Sequence, residues 1–590
     1  MTIFVRVVLF WIAAILSPAV SFLSAQSGPE RVTKVFEHRF GGAEGGPGFL
    51  VQFDPVGASV RSITLLDHDA PRSSRNDPRE PYQIVMPEFA DPADPSRGTF
   101  TWLQLSADDP SQLPGIAEGL DLSSWDVAER EGNRVRFTLR TNHGLTLERV
   151  YAYDLGRRDL RLEFAVLADA ATTAAAGTPI RVGLDGVALA APRSEWVLGS
   201  LPSLAVGTST SASAGETETF YHPPGDEAPL AERVLLAEKP TDGTIGYAGT
   251  ANRFFGCFLY PSDAAAAESL LRAQVAFRVP KLPQAGAPRH SIPQVRYDLR
   301  LVVPPAGAEA RTVFRLYLGP KSSRIFDENE EYVRFRPVMK HTLDPMCFCS
   351  IPGARSIATF LLWLLTSLQS FLGNWGVAII ALTLIVRGIL APLNFRMQKS
   401  MRAYGQRMAV LKPKLDALQK KYAADPRLLQ QQMVAFQREH KLFPPLGGCL
   451  PLFMTIPVFI GLFTALRVAY ELRQQPFALW IDDLSRPDQL FALGLSWLPH
   501  FNLLPIVMVG MWLWLQAGTP LPTDPQQRQM MKIMRFMPFI FGITLYEYAS
   551  GLMLYMITSS VFGLVEQRVT KKILGPIDPN AAGMTAAPMI

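Results

Sequence analysis

Apolar and polar positions alternate in three different textures along this chain. The first is a short N-terminal block in which an apolar run from Val7 to Ala25 is interrupted only by Ser17, Pro18, Ser21 and Ser24, with Arg6 before it. A run of this length sits near the lower end of what crosses a bilayer, and Leu23-Ser24-Ala25 resembles a signal-cleavage site. Residues 1–25 are therefore expected to be a retained transmembrane anchor, with a cleaved signal sequence as the alternative. Either one exports the residues from 26 onward.

From residue 26 to 344 no long apolar run appears, and short alternating stretches are separated by turn signals. Residues 134–140, 145–153, 160–166, 295–302 and 312–318 place apolar side chains at every second position over most of their length. That period predicts strands with one face on a core and the other in water. Gly- and Pro-rich connections such as 41–48 and 77–81 divide them. About 300 residues of this kind suit one large exported β-sandwich.

After Cys349 the texture is that of a membrane protein. Residues 357–372 and 375–393 are both strongly apolar and together exceed one straight crossing, so the break is placed at Gly373-Asn-Trp-Gly376. The expected arrangement is a linker and interfacial amphipathic helix over 345–372, then five spans at about 377–395, 446–469, 490–516, 533–548 and 552–569. A cytoplasmic helical hairpin over 396–441 comes after the first span, its arms joined at Ala423-Ala-Asp-Pro426, where Asp425 caps a helix that opens on proline. The core thus covers 373–572, and 573–590 is a short tail.

Lysine and arginine positions orient these spans. The hairpin carries Arg396, Lys399, Arg402, Arg407, Lys412, Lys414, Lys420, Lys421, Arg427, Arg438 and Lys441 against Asp416, Asp425 and Glu439, which assigns it to the cytoplasm. Residues 471–487 hold Arg473 and Arg486 and belong outside, whereas Arg528, Lys532, Arg535, Arg568, Lys571 and Lys572 fall inside. The sandwich is then periplasmic and the C-terminus cytoplasmic. The first eight basic residues of the hairpin are candidates for docking an anionic partner, such as ribosomal RNA or lipid head groups.

Composition narrows the class. The 590 residues are 48% hydrophobic and 18% charged, with a net charge of +5, too small at this size to indicate nucleic acid as a substrate. Four cysteines exclude a disulfide framework or a multi-cysteine zinc module. There is no phosphate loop, HExxH, GxSxG or paired histidine, so no cofactor, metal or enzymatic activity is expected.

Arg387 is the most informative residue, because it lies near the middle of the first expected span. An arginine there costs about 2.5–3.5 kcal/mol on insertion scales. Snorkelling covers only part of the roughly 12 Å to the cytoplasmic end. The alternative is a wet cavity between helices, which Thr383, one turn earlier, would extend. Arg467, Glu547 and Glu566 lie near span ends, where a charge costs little. Phe459 and Met556 are of types that pack in cores and also repack around varied apolar partners.

Several stretches resemble the YidC/Oxa family of membrane protein insertases, in its long Gram-negative bacterial form. They are Gly373–Gly376 through Thr383–Gly388, Pro392-Leu393, Leu411–Lys414, Pro445–Pro451, Glu471–Ser485, Arg535–Pro538 and Ser550–Tyr555, in order along about 200 residues. The resemblance implies a polytopic α-helical membrane protein with a five-helix insertase core and a supersandwich-like exported domain. It implies that Arg387 supplies the positive charge of a hydrophilic groove, that Thr383 is its polar neighbour, and that Phe459 and Tyr555 line a client's path, with Thr455 and Met556 completing the set. Implied partners are nascent membrane proteins, the ribosome, the Sec translocon and the lipid bilayer. The family often has a second Tyr where this chain has Met556. The competing reading is a solute transporter or channel with an external β-domain, which would need internal repeats or several intramembrane ionisable groups. A tethered carbohydrate-active enzyme would rest on the β-domain alone.

Overall fold

The computed structural model describes residues 35–42, 46–70, 79–85, 103–107, 119–141, 143–187, 189, 204–211, 215–221, 234–278, 292–342, 354–422, 425–440, 450–493, 498, 500–517 and 525–575. The expected N-terminal anchor, the Cys347-Phe-Cys349 linker, the Pro445–Cys449 motif and residues 576–590 lie outside them.

The N-terminal half of the described chain is built from antiparallel sheets. Phe36–Gly41, Gly48–Asp54, Ser59–Asp69 and Pro81–Val85 form a four-stranded meander. A five-stranded sheet runs in the order Val234–Glu238, Leu270–Arg278, Ile292–Val302, Pro179–Asp185 and Gln104–Ala107. The largest has nine strands and includes Gly243–Ala251, Phe255–Pro261, Glu309–Pro320, Asp159–Ala168, Leu145–Tyr153 and Arg134–Arg140. One apolar core joins all three sheets, drawing Val51 from the first, Val182 and Val295 from the second, and Phe137, Tyr151 and Leu162 from the third. This is a β-sandwich, and all five stretches expected as strands lie within strands.

The expectation of one wet face per strand fails for part of the largest sheet. Several of these strands are buried on both faces, because a strap of short helices covers the outer face of the nine-stranded sheet. Beyond α1 (Ala264–Ser269), the strap consists of α2 (Ser323–Asp327), a 3-10 turn and α3 (Arg336–Thr342). Phe326, Tyr332, Phe335 and Val338 pack there on Tyr247, Phe258, Tyr260 and Tyr317. Asp159, fully buried, accepts from Tyr260 and Tyr332 at 2.8 Å each and from Arg157 and Arg315, fastening strap to sheet. Burial on two faces explains why Phe254–Tyr260 is a near-continuous apolar run rather than an alternating one.

The helical half contains α4 (Ala354–Leu372), α5 (Trp375–Lys421), α6 (Pro426–Glu439), α7 (Leu450–Val468), α8 (Leu503–Ala517), α9 (Pro525–Thr544) and α10 (Ser550–Leu574). The break expected at 373–376 is present: Gly373 takes φ +69° after α4, and Asn374 caps α5, its Oδ1 accepting from the amides of Gly376 (2.8 Å) and Val377 (3.1 Å). Gly376 has to be glycine, since a Cβ there would stand 2.0 Å from the Phe477 ring. Helix α4 buries Leu361, Leu362 and Leu365 against α5 and α7 and leaves Phe360, Trp363 and Phe371 bare.

The boundaries differ most from those expected in two places, and the span expected at 533–548 is a helix ending at Thr544. The first expected span and the first arm of the hairpin are one helix of 47 residues, continuous through Pro392 and Pro413. At 1.5 Å per residue it is about 70 Å long, twice what a bilayer core accommodates. Of the residues expected to open the third span, 490–493 and 500–502 are not helical. Phe491–Ala492 pairs with His500–Phe501, and the Asp488 carboxylate caps α8 by accepting from Leu503 N at 2.8 Å and Leu504 N at 3.3 Å. The cap, not hydropathy, sets where that helix begins.

Residues 467–486 bond the sandwich to the helices. Arg253 Nε donates to the carbonyl of Arg467 (2.6 Å) in the last turn of α7, and its Nη2 to that of Ser485 (3.1 Å). Arg473 and Gln474 each donate to the Asp69 carbonyl at 2.7 Å, Ser322 donates to Glu471 at 2.7 Å, and the Tyr470 hydroxyl meets His68 Nε2 at 3.3 Å. Residues 484–486 in turn accept from the first amides of α10, Ser550 N to Arg486 O at 2.6 Å and Gly551 N to Leu484 O at 2.9 Å.

Candidate functional site

Helices α5 and α10 pack in parallel, and a polar seam runs down their contact. Arg387 donates from Nη2 to Ser559 Oγ, Gln398 Nε2 donates to Glu566 Oε1 at 3.4 Å, and Arg402 donates to the Gly575 carbonyl. The order of partners is the same along both helices. The seven-residue steps from 387 to 394 and from 559 to 566 each advance about 10 Å, two turns, so the seam keeps to one face. Asn394 is buried within it, beside Glu566.

Arg387 is half-buried, and among the described residues no carboxylate comes within 4 Å of it. Its bonded partner is a neutral hydroxyl, so its charge is held in place without being cancelled. Glu566, the acid nearest along α10, stands two turns away. Around Arg387 the seam therefore sets a fixed positive charge against an uncharged hydroxyl, within the apolar stretch 375–393 of α5.

The other expected groove residues divide between this seam and its flanks. Tyr555, one turn before Ser559, has its ring 6.3 Å from Phe459 of α7, and Phe459 continues to Phe463 at 6.1 Å. The aromatic wall and the guanidinium thus share one side of α10. Thr383 is fully buried, and its hydroxyl donates to the Ile379 carbonyl at 2.7 Å, within its own helix. Met556 is also buried, on the face of Ser560, whose hydroxyl accepts from Trp512 of α8 at 3.0 Å; it looks toward α8 rather than along the seam. Thr455 lies on α7, with its side chain outside the described residues.

Of the expected docking residues, Arg396, Lys399, Lys414, Lys420 and Lys421 are exposed along α5. Arg402 is instead engaged with the end of α10. The side chains of Arg407 and Lys412 lie outside the described residues. Sequence reasoning passed over Asn394 and Gln398, gave Ser559 no role and read Glu566 as a low-cost charge at a span end; their seven- and four-residue spacings on two helices were the available signal.

Residues 367–576, which hold the whole seam, match the family model described as 60Kd inner membrane protein. Among named relatives, the chain is similar to the membrane protein insertase YidC of Aeromonas salmonicida, 38% identical over 277 residues, which is 47% of this chain and 45% of that protein. The YidC of Neisseria gonorrhoeae is 36% identical over 263 residues, 44% of this chain and 42% of the relative. The chain thus spans less than half the length of these relatives. A crystal structure titled active YidC insertase with the first transmembrane domain resolved aligns over 96% of this chain and 99% of its own, at 16% identity and a TM-score of 0.32, too distant to build on.

Proposed function

We propose that this chain is a membrane protein insertase of the YidC type, acting at the bacterial inner membrane on nascent membrane proteins. The observation that carries this reading is the Arg387 guanidinium, held within the apolar first half of α5 by a serine hydroxyl, with no carboxylate against it among the described residues. The family match over 367–576 and the names of the relatives agree with it.

The mechanism rests on solvation. Each unsatisfied polar group of a client segment costs several kcal/mol in hydrocarbon. The seam offers hydrogen-bonding groups and a positive charge inside the membrane, so that cost falls while the segment crosses. The adjoining apolar stretch slides past Phe459 and Tyr555 and leaves into lipid, driven by about 25 cal/mol per Å² of apolar surface removed from water. This is transfer without bond chemistry, and it calls for no nucleotide or metal.

In this reading α5 crosses the membrane; by length and composition, residues 375–400 suffice. The helices α7 to α10 supply the remaining spans, the sandwich is periplasmic and the basic hairpin and C-terminus are cytoplasmic. Parallel packing of α5 with α10 favours this arrangement, because both then run from outside to inside. The exposed lysines and arginines of α5 suit docking of the ribosome, and the chain acts alone or with the Sec translocon. Photocrosslinking probes at Thr383, Phe459 and Tyr555 test the reading. Stalled nascent chains are expected to form adducts at one or more of them, and a folded protein giving adducts at none contradicts it.

A further inference from the structure

The segment after α7 is built inside out. Between residues 470 and 493 every exposed residue is apolar: Pro476, Ala478, Leu479, Phe491, Ala492 and Leu493. Over the same stretch Arg473, Arg486 and Asp488 are buried and Glu471, Asp482 and Asp483 are half-buried. A loop in water shows the reverse distribution, since charges are the groups that water solvates best.

The polar groups turned inward are engaged there. Asp488 accepts from the amide of Leu503 (2.8 Å) and from Trp480 Nε1 (3.1 Å), and Asp483 accepts from the amide and hydroxyl of Ser485 at 2.8 and 2.7 Å. Arg473 lies over the Tyr82 and Phe255 rings at 4.8 and 5.2 Å. Leu479 meanwhile is 81% exposed on a backbone of φ +57°, a state that L-residues rarely adopt, and Phe491 stacks on Phe501 at 4.9 Å with its outer face bare.

We infer that residues 476–493 lie in the outer leaflet of the bilayer, with Leu479 and Phe491 among the acyl chains, rather than forming a periplasmic loop in water. The occupant of this apolar surface is lipid, because the surface is continuous with the start of the crossing helix. Asn374, the cap of α5, donates from Nδ2 to the Phe477 carbonyl at 3.2 Å, and Phe371, 88% exposed, ends α4 two residues before Gly373. Apolar side chains thus ring the level at which α5 enters the membrane. Trp480 beside them, its indole N–H satisfied inward, is of the type that marks such an interface. The inference rests on the membrane placement given above.

The test uses the full chain in phospholipid vesicles, with a fluorescent amino acid placed in turn at positions 479, 491, 389 and 155. Ile389 is an exposed residue of α5 and Leu155 an exposed residue of the sandwich. Nitroxide on the lipid chains is expected to quench positions 479 and 491 at least about threefold more than aqueous iodide does, as at 389, and the reverse is expected at 155. Iodide-dominant quenching at 479 and 491, or protection from both quenchers by a covering protein, overturns the inference while 389 remains lipid-quenched. If 389 is itself open to iodide, the membrane placement fails first. A label-free check is Leu479→Asp, which lowers the unfolding temperature in vesicles if the site is in lipid; no change or a rise overturns the inference.

Discussion

At the scale of single residues, Arg387 was legible because one cation in a long apolar run has no neutral explanation at small cost. Its partner was not: a serine in a helix ordinarily bonds its own backbone, as Thr383 and Ser560 do here, and only the packing of α10 on α5 aims Ser559 at the guanidinium. The pairing yields a graded prediction. Arg387→Lys keeps the charge and should retain client insertion to within about threefold, whereas Arg387→Glu should lower the rate by about tenfold or more, the equivalent of ~1.4 kcal/mol. Ser559→Ala frees the guanidinium without removing it and should fall between the two. Insertion rates in membrane vesicles carrying each variant decide; equal rates for the lysine and glutamate variants would remove charge from the mechanism.

At the scale of elements, hydropathy located the helices but not their ends. Residues 490–516 are mostly apolar, and what separates the paired strands from the helix is Asp488, whose carboxylate reaches forward to Leu503 and Leu504, and Asn502, which bonds Gln489 N at 3.0 Å and the Tyr546 carbonyl at 2.9 Å. Such tertiary capping leaves no local pattern. A local cap was readable: Asp425 bonds the amides two and three residues ahead, as its place before Pro426 suggested, and Asn374 does the same inside the break expected at 373–376. Asp488→Ala is expected to cost about 1 kcal/mol of helical-domain stability, and Asp488→Asn less, because its amide oxygen still accepts. Thermal unfolding in detergent measures both; an unchanged midpoint for the alanine variant would show that α8 does not depend on this cap.

At the scale of the whole molecule, the bulk figure of 48% hydrophobic is the mean of a sandwich and a helical bundle, and sequence texture separated them near Cys349. What no pattern foretold is their junction, where charged side chains from strands and loops far apart in sequence meet carbonyls on the other half. Arg253→Ala should free the end of α7 and residues 484–486, seen as faster hydrogen exchange there with the sandwich core unchanged; unaltered exchange would show the clamp to be idle.

The same junction should respond to pH. Burial, outweighing the pull of Asp67 at 3.2 Å, holds His68 below its ordinary value of 6.5, and Arg158 and Arg473 add to the effect. A base lowered on folding binds fewer protons when folded, so its contribution to stability is present above about 6.5 and is lost as pH falls through the lower folded value. Docking of the sandwich on the 470–474 segment is therefore expected to loosen in mild acid, and His68→Gln to flatten that dependence. Limited proteolysis across pH 5 to 8 would show it, and an identical pH profile in both proteins would contradict it.

The function proposed for this chain is transfer of polar segments of nascent proteins across a membrane. Its most direct measurement is protease protection of a small single-span client offered to vesicles that contain only this purified protein. The account predicts a protected fragment that is abundant with the native chain, near native with Arg387→Lys and scarce with Arg387→Glu; protection no greater than in protein-free vesicles would contradict it.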